Sequence, residues 1–138
     1  MYHEMEYRVT YADTDQMGVV YYANYLVYFE RSRTEMFRAA GLPYCELEKQ
    51  GIVLPVLEAF CKYIAPARYD DLLTLRSWVQ EVKGVRLLIG SEVRHGNELL
   101  VSGHVMLASV NKERKVVRLT KEIMDCCEKF FWNPEDKK

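Results

Sequence analysis

Between Tyr22 and Ala40 the chain spells one long helix whose front half is apolar nearly all the way round. Leu26, Phe29, Arg33, Met36, Phe37 and Ala40 keep helical spacing, and Gly41-Leu42-Pro43 supplies the stop. Tyr21, Tyr25 and Tyr28 lay a second apolar stripe over its first half, while Arg31, Arg33, Glu35 and Arg38 make the back half wetter. A helix apolar on more than one side must be covered on more than one side.

The other long periodic segments are strands. Met5, Tyr7, Val9 and Tyr11 alternate with Glu4, Glu6, Arg8 and Thr10, a strand with one wet face. After the helix, Val53 to Ile64 predicts a strand closed by Ala65-Pro66, and Leu72 to Val82 predicts another. Lys83-Gly84 turns into Val85 to Arg94, and His95-Gly96-Asn97 turns into Leu99 to Val110, glycine at both turns suiting antiparallel hairpins. The polar Asn111 to Lys115 precedes a short strand, Val116 to Leu119. A last helix, Thr120 to Phe131, runs into a charged tail, Asn133 to Lys138, that is expected to fray.

This order, strand, long helix, then a run of antiparallel strands, predicts an α+β fold with the helix laid across one face of a single curved sheet. The 138 residues suit one domain spanning 1–138, which buries roughly two-thirds of the surface its unfolded chain exposes. One helix cannot cover five or six strands, so apolar surface and an edge strand are left over. Self-association hides both, and a homo-oligomer is expected.

Composition excludes several classes of function. With 19 basic and 20 acidic residues and a net charge of -1, no basic stripe asks for nucleic acid. Glu4, Glu6 and Arg8 stand where a signal peptide needs an apolar core. The longest uncharged apolar run, Met17 to Phe29, falls short of the roughly twenty residues of a membrane span. A soluble, cytoplasmic protein is expected. Cys45 and Cys61 are isolated, Cys126 and Cys127 are adjacent, and no C-x-x-C occurs, which predicts free thiols in a reducing compartment.

The chemistry gathers in YADTDQMGVVYYANY, residues 11–25, where Asp13 and Asp15 precede a thicket of uncharged aromatics. Asp13-x-Asp15-x-x-Gly18 opens like a calcium loop, but Met17 and Asn24 stand where that loop requires oxygen ligands and a bidentate glutamate, and a strand precedes it. Helix capping accounts for Asp13 and Gly18 as turn residues, but Asp15 lies too far from Tyr22 to cap a helix beginning there. A catalytic reading uses every part. The carboxylate serves as nucleophile or general base, the free N–H groups at the helix start serve as an oxyanion site, and the apolar helix front keeps water out. That arrangement suits acyl transfer or hydrolysis.

These residues resemble a known family. Thr14-Asp15-x-x-Gly18-Val19-Val20-Tyr21-Tyr22-x-Asn24-Tyr25, followed by Glu30, resembles the signature of the 4-hydroxybenzoyl-CoA thioesterase and YbgC-like acyl-CoA thioesterases. Tyr63-x-x-Pro66-Ala67-Arg68-Tyr69-Asp70-Asp71 looks like that family's lead-in to its long strands, and Arg118-Leu119 like its closing strand. The resemblance implies the hotdog fold, an antiparallel sheet wrapped around one long helix, and hydrolysis of acyl-CoA to a carboxylic acid and CoA. By position it makes Asp15 the catalytic carboxylate and the backbone N–H of Tyr22 the donor that polarises the thioester carbonyl, with Gly18, Val20 and Tyr25 against the substrate. It implies no cofactor beyond the CoA of the substrate, no metal, and a homodimer or homotetramer. Many YbgC-like members carry histidine where Tyr22 stands; here the chain agrees with the hydroxybenzoyl branch, and a phenol suits orientation or packing better than proton transfer at neutral pH.

The remaining candidates read as structural. His95 falls in a turn, His104 in a strand and His3 near a terminus, and no G-x-S-x-G occurs. Cys45 and Cys61 lack a base or cationic partner, which predicts burial. Glu30 is expected to pair with Arg33 on the helix, and Arg68 either fixes a turn with Asp70 or Asp71, the preferred reading, or meets a phosphate. Lys62, Lys83, Arg86 and Arg94 are open candidates for the CoA phosphates. Two rivals keep the same fold: a hydrolase or binder of acyl-carrier-protein thioesters, which calls for a basic docking surface, and a non-catalytic oligomeric acyl-binding module.

Overall fold

The computed structural model describes residues 1–134. In chain order it contains β1 (His3–Arg8), a single 3-10 turn at Tyr11–Asp13, α1 (Asn24–Ala39), α2 (Tyr44–Lys49), β2 (Ile52–Val53), β3 (Val56–Tyr63), β4 (Leu72–Lys83), β5 (Arg86–His95), β6 (Glu98–Ala108), β7 (Val110–Asn111) and α3 (Lys121–Lys129). Five strands form one antiparallel sheet in the order β1-β4-β5-β6-β3, and β2 pairs with β7 in a separate small ladder. The sheet and its one long helix are the α+β hotdog arrangement that the order of elements and the resemblance predict. Residues 135–138 of the expected fraying tail lie outside the described residues.

The two long hairpins form where glycine was read as a turn signal. Lys83 pairs with Arg86 and His95 with Glu98, so each loop is two residues long and begins with a glycine at φ 62° or 60°, the left-handed conformation such tight turns demand. Glycine has a different task inside β6. A Cβ at Gly103 would collide with the Phe60 carbonyl and the Phe29 ring, so its absence lets α1 settle onto the sheet.

α1 buries Tyr25, Tyr28, Phe29, Ser32, Arg33, Met36 and Phe37. Its first half meets Val9, Val20, Ala67, Leu73, Leu75, Val93, Leu100 and Val101. Its second half meets an aliphatic cluster closed by Leu47 of α2 and by Ile123, Cys126 and Cys127 of α3. Thr120 caps α3 by accepting the Ile123 N–H.

Four expectations are corrected. The strand read from Val53 to Ile64 is broken at Leu54-Pro55, where proline removes a ladder donor; β2 and β3 then pair with different partners. α2 was not foreseen, since six residues are too short to show a period. Val116 to Leu119 forms only a bridge from Val116 to Val110. Leu26, placed in the apolar stripe, is 39% exposed, and Val27 beside it is 48% exposed. β3, at one edge of the sheet, also leaves Val56, Leu57, Phe60 and Tyr63 open in the single chain. The uncovered apolar surface and edge strand expected from one helix on many strands are both present.

Candidate active site

The site begins where β1 runs out. After buried Val9, the chain enters the turn Tyr11–Asp13, and the Asp13 carboxylate folds into that turn's own hydrogen bonding. Its Oδ2 accepts from the Tyr7 hydroxyl at 2.6 Å, the Tyr28 hydroxyl at 3.0 Å and the Thr10 N–H at 3.1 Å. Burial on its own would raise the Asp13 pKa, but the hydrogen bonds from Tyr7, Thr10 and Tyr28 more than offset it and hold the carboxyl below its ordinary value. The phenols move the other way: burial, and then the neighbouring Asp13 charge, push Tyr28 up, and burial followed by its bond to Asp13 pushes Tyr7 up. Asp13 is an ionised anchor joining β1, the turn and α1.

Asp15 sits two residues on, in a tight loop. Its N–H donates to the Val19 carbonyl at 2.9 Å, its carbonyl accepts from Gly18 at 3.0 Å, and its Oδ1 accepts from the Met17 N–H at 2.8 Å. Oδ2 takes no hydrogen bond among the described residues. Gly18 is at φ 76°, so it makes the turn possible, and it lies exposed at the loop. The loop is sewn down by a bridge from Val19 to Arg68 and by Val20 N–H donating to the Ala67 carbonyl at 2.9 Å. Ala67 N–H in turn donates to the Tyr25 hydroxyl at 3.1 Å, so α1 and both loops share one frame.

From the loop the chain passes directly into α1. Tyr21 N–H donates to the Asp13 carbonyl and Asn24 N–H to the Tyr21 carbonyl, both at 2.9 Å. The N-cap residue, Ala23, has no side chain to cap the helix. The N–H groups of Tyr22 and Ala23 therefore stay without an acceptor among the described residues, at the positive end of a 16-residue helix. Beside them lies an open cleft of about 280 Å³ lined by Val20, Tyr22, Tyr25, Tyr63, Ile64, Ala65 and Pro66. The Tyr63 hydroxyl donates to the Tyr22 carbonyl at 3.1 Å, and partial burial, then the Cys61 thiol and the Tyr22 and Tyr25 phenols, push its own ionisation up to about 12.

Of the residues singled out in the sequence, Val20, Tyr22 and Tyr25 share this cleft wall; Asp15 and Gly18 belong to the adjoining loop and do not line the cleft of a single chain. Tyr22 is 60% exposed, with its ring against those of Tyr21 and Tyr63. Sequence reasoning missed Tyr63 and the Ile64–Pro66 wall as parts of the site, and it gave Asp13 no partner. Tyr7 and Tyr28 reach Asp13 from six and fifteen residues away, which no local pattern reports.

Several lesser expectations are settled differently. Glu30 forms no ion pair among the described residues; it is exposed and Arg33 is 8% exposed, and both line a separate cleft of about 330 Å³ beside α2. The turn at residues 68–71 is fixed by the Asp71 carboxylate accepting the Arg68 backbone N–H, and Asp70 pairs with Arg8. Arg94 is engaged by Glu92. Cys45 is exposed rather than buried. Burial pushes the Cys126 thiol, with Cys127 beside it, up to about 12 and Cys127 up to about 11, which makes both poor nucleophiles. His104 stacks on Phe60 as a packed strand residue.

Comparison with known proteins then decides the family: residues 9–126 match the Thioesterase-like superfamily. The chain belongs to that superfamily. It is 37% identical over 118 residues to the acyl-CoA thioesterase YbgC of Haemophilus influenzae, covering 84% of this chain and 87% of that one. It is 34% identical over 105 residues to the acyl-CoA thioester hydrolase YbgC of Escherichia coli, covering 75% and 78%. Among solved structures, the DHNA-CoA thioesterase of Staphylococcus aureus superposes with a TM-score of 0.85 at 30% identity, covering 92% of this chain and 87% of that one. Within this superfamily member, no helix of the described residues is long and apolar enough to cross a membrane.

Proposed function

We propose that this chain hydrolyses acyl-CoA thioesters, with Asp15 as the reactive carboxylate and the Tyr22 N–H as the oxyanion donor. The observation that supports the reading is that a loop bearing a carboxylate whose Oδ2 takes no hydrogen bond among the described residues runs directly into a helix start with uncapped amides, beside an apolar cleft, in a chain of the thioesterase-like superfamily. The thioester carbonyl oxygen is polarised by the Tyr22 N–H, and losing one such donor costs about a hundred- to thousandfold in rate. The carbonyl carbon is then attacked in one of two ways. Asp15 adds to it directly, the C–S bond breaks, CoA leaves as a thiolate that takes up a proton, and water cleaves the resulting anhydride. Alternatively, Asp15 takes a proton from water as that water adds, and the adduct collapses by breaking the C–S bond, CoA leaving as a thiolate that takes up the proton. Val20 and Tyr25 pack against the acyl-bearing end of the substrate, and Gly18 keeps the loop close. No step calls on a metal or a cofactor other than the CoA of the substrate.

The cleft of one chain is small for an acyl-CoA and open on one side. The exposed edge of β3, with Leu26 and Val27 beside it, offers the surface a second copy needs to complete it. The reading therefore takes the whole chain as one hotdog domain working in the cytoplasm as a homodimer, or as a tetramer built from such dimers. Sedimentation equilibrium is expected to return a dimer or tetramer; a monomer at micromolar concentration contradicts this part.

A screen of short, long and aromatic acyl-CoAs, read by free thiol release, tests the activity. Turnover of none of them overturns the proposal. Single-turnover hydrolysis in heavy-oxygen water then tests the anhydride route, since label in the Asp15 carboxylate requires an anhydride that water cleaves at the Asp15 carbonyl.

A further inference from the structure

Asn24 is the first residue of α1, one position past the N-cap residue Ala23. The side chain turns back, and its Nδ2 donates to the Asp13 carbonyl at 2.9 Å in a half-buried setting. That carbonyl oxygen can only accept, which fixes the amide nitrogen towards it. The same oxygen also accepts the Tyr21 N–H at 2.9 Å, and the Asn24 N–H donates to the Tyr21 carbonyl at 2.9 Å. Asn24 thus holds the chain on both sides of Tyr21 and ties the helix start to a point two residues before Asp15.

We propose that Asn24 is a positioning residue that sets the aim of the Tyr22 N–H relative to the Asp15 carboxylate. The Tyr21 carbonyl and the Tyr22 N–H belong to one planar trans peptide, so they point in opposite directions. Holding the carbonyl against the Asn24 N–H directs the Tyr22 N–H away from the helix turn, where it remains without an acceptor among the described residues. The side-chain bond to Asp13 then fixes how far this peptide lies from the Asp15 loop. The Tyr21 N–H already ties the helix start to the Asp13 carbonyl, and the Asn24 amide adds a second donor to that oxygen, so the tie fixes direction as well as distance. The Asn24 side chain bonds to the Asp13 carbonyl and not to the Asp15 carboxylate, so it acts through placement. The Tyr63 hydroxyl does the matching work one peptide later by holding the Tyr22 carbonyl.

The inference rests on Asp15 and the Tyr22 N–H being the reacting pair, and the test keeps the two claims apart. The informative substitution is Asn24→Asp. It keeps the size of the side chain, removes the Nδ2 donor, sets an acceptor against the Asp13 carbonyl, and places a negative charge at a helix start, where the dipole favours it. A purely structural role would leave kcat unchanged wherever the protein is folded. Positioning predicts a melting temperature at or above that of the parent, a kcat roughly ten- to hundredfold lower, and a KM within about twofold, because a misplacement near 1 Å is enough for such a loss. Asn24→Ala, assayed well below its melting temperature, is expected to lose kcat in the same way. If the parent is active, Asp15→Asn is inactive and Asn24→Asp turns over at the parental kcat, only this inference falls. A loss confined to KM, or one that merely follows a fall in melting temperature, overturns it as well. An inactive parent, or an active Asp15→Asn, overturns the assignment of the pair and this inference with it.

Discussion

The turn that ends at Asp13 and the loop that starts at Asp15 carry the same functional group two residues apart, and the fold treats the two groups in opposite ways. Asp13 gives one oxygen to three donors from β1, the turn and α1, and its backbone carbonyl to two more. Asp15 gives one oxygen to its own loop and leaves the other open. A carboxylate held by several neutral donors is stabilised as an anion and made a poor nucleophile and base; one with a free oxygen keeps its reactivity. Neighbouring acids of the same sequence pattern thus divide into an anchor and, on the proposed function, a reagent, and hydrogen-bond partners rather than sequence position make the division.

The largest expected effect lies on the Asp15 side. Asp15→Asn should lower the rate of thioester hydrolysis by about a hundred- to ten-thousandfold, the usual span for a lost general base, while the melting curve stays close to the parent's. Next comes the anchor. Asp13→Ala leaves the Tyr7 and Tyr28 hydroxyls without their acceptor and should cost about 1–3 kcal/mol of stability, read as a fall in denaturant midpoint with an unchanged slope. Tyr28→Phe removes only one of the three donors and should cost less, about 0.5–1.5 kcal/mol. A melting curve for Asp13→Ala indistinguishable from the parent's would erase the contrast.

The smallest effect is its pH dependence. The folded Asp13 carboxyl titrates below its unfolded value, near 4. Its contribution to stability is therefore complete above that unfolded value and is lost as pH falls through the folded one. The stability gap between the parent and Asp13→Asn should stay constant near neutrality and narrow below about pH 4. A gap that widens on acidification would show that the carboxyl is not held as an anion.

How much of this was legible in the sequence varied with the range of the forces involved. α1 and the two long hairpins could be read because period and turn glycines are local, and Gly84 and Gly96 sit where the tight loops need them. The break at Leu54-Pro55 was equally local and was overrun by the apolar pattern on either side of it. α2 has six residues and no period to read. Asp15 stood out because capping left it unexplained, while Tyr22 and the wall residues Val20 and Tyr25 came from the resemblance; the structure sets those three on one cleft and Asp15 in the adjoining loop. The role of Asp13 stayed hidden because it depends on two tyrosines brought in by tertiary packing. Asn24 belongs to the local motif, but its side chain makes a bond across eleven residues that only the folded chain displays.

The most direct test runs Asp15→Asn and Asp13→Asn side by side, measuring thiol release from an acyl-CoA that the parent hydrolyses and the melting curve of each protein. The account predicts a crossover: Asp15→Asn folds like the parent and barely turns over, while Asp13→Asn melts earlier yet keeps most of its rate below its melting temperature. An Asp15→Asn protein that hydrolyses at the parental rate, or an Asp13→Asn protein that is fully folded and inactive, would contradict it.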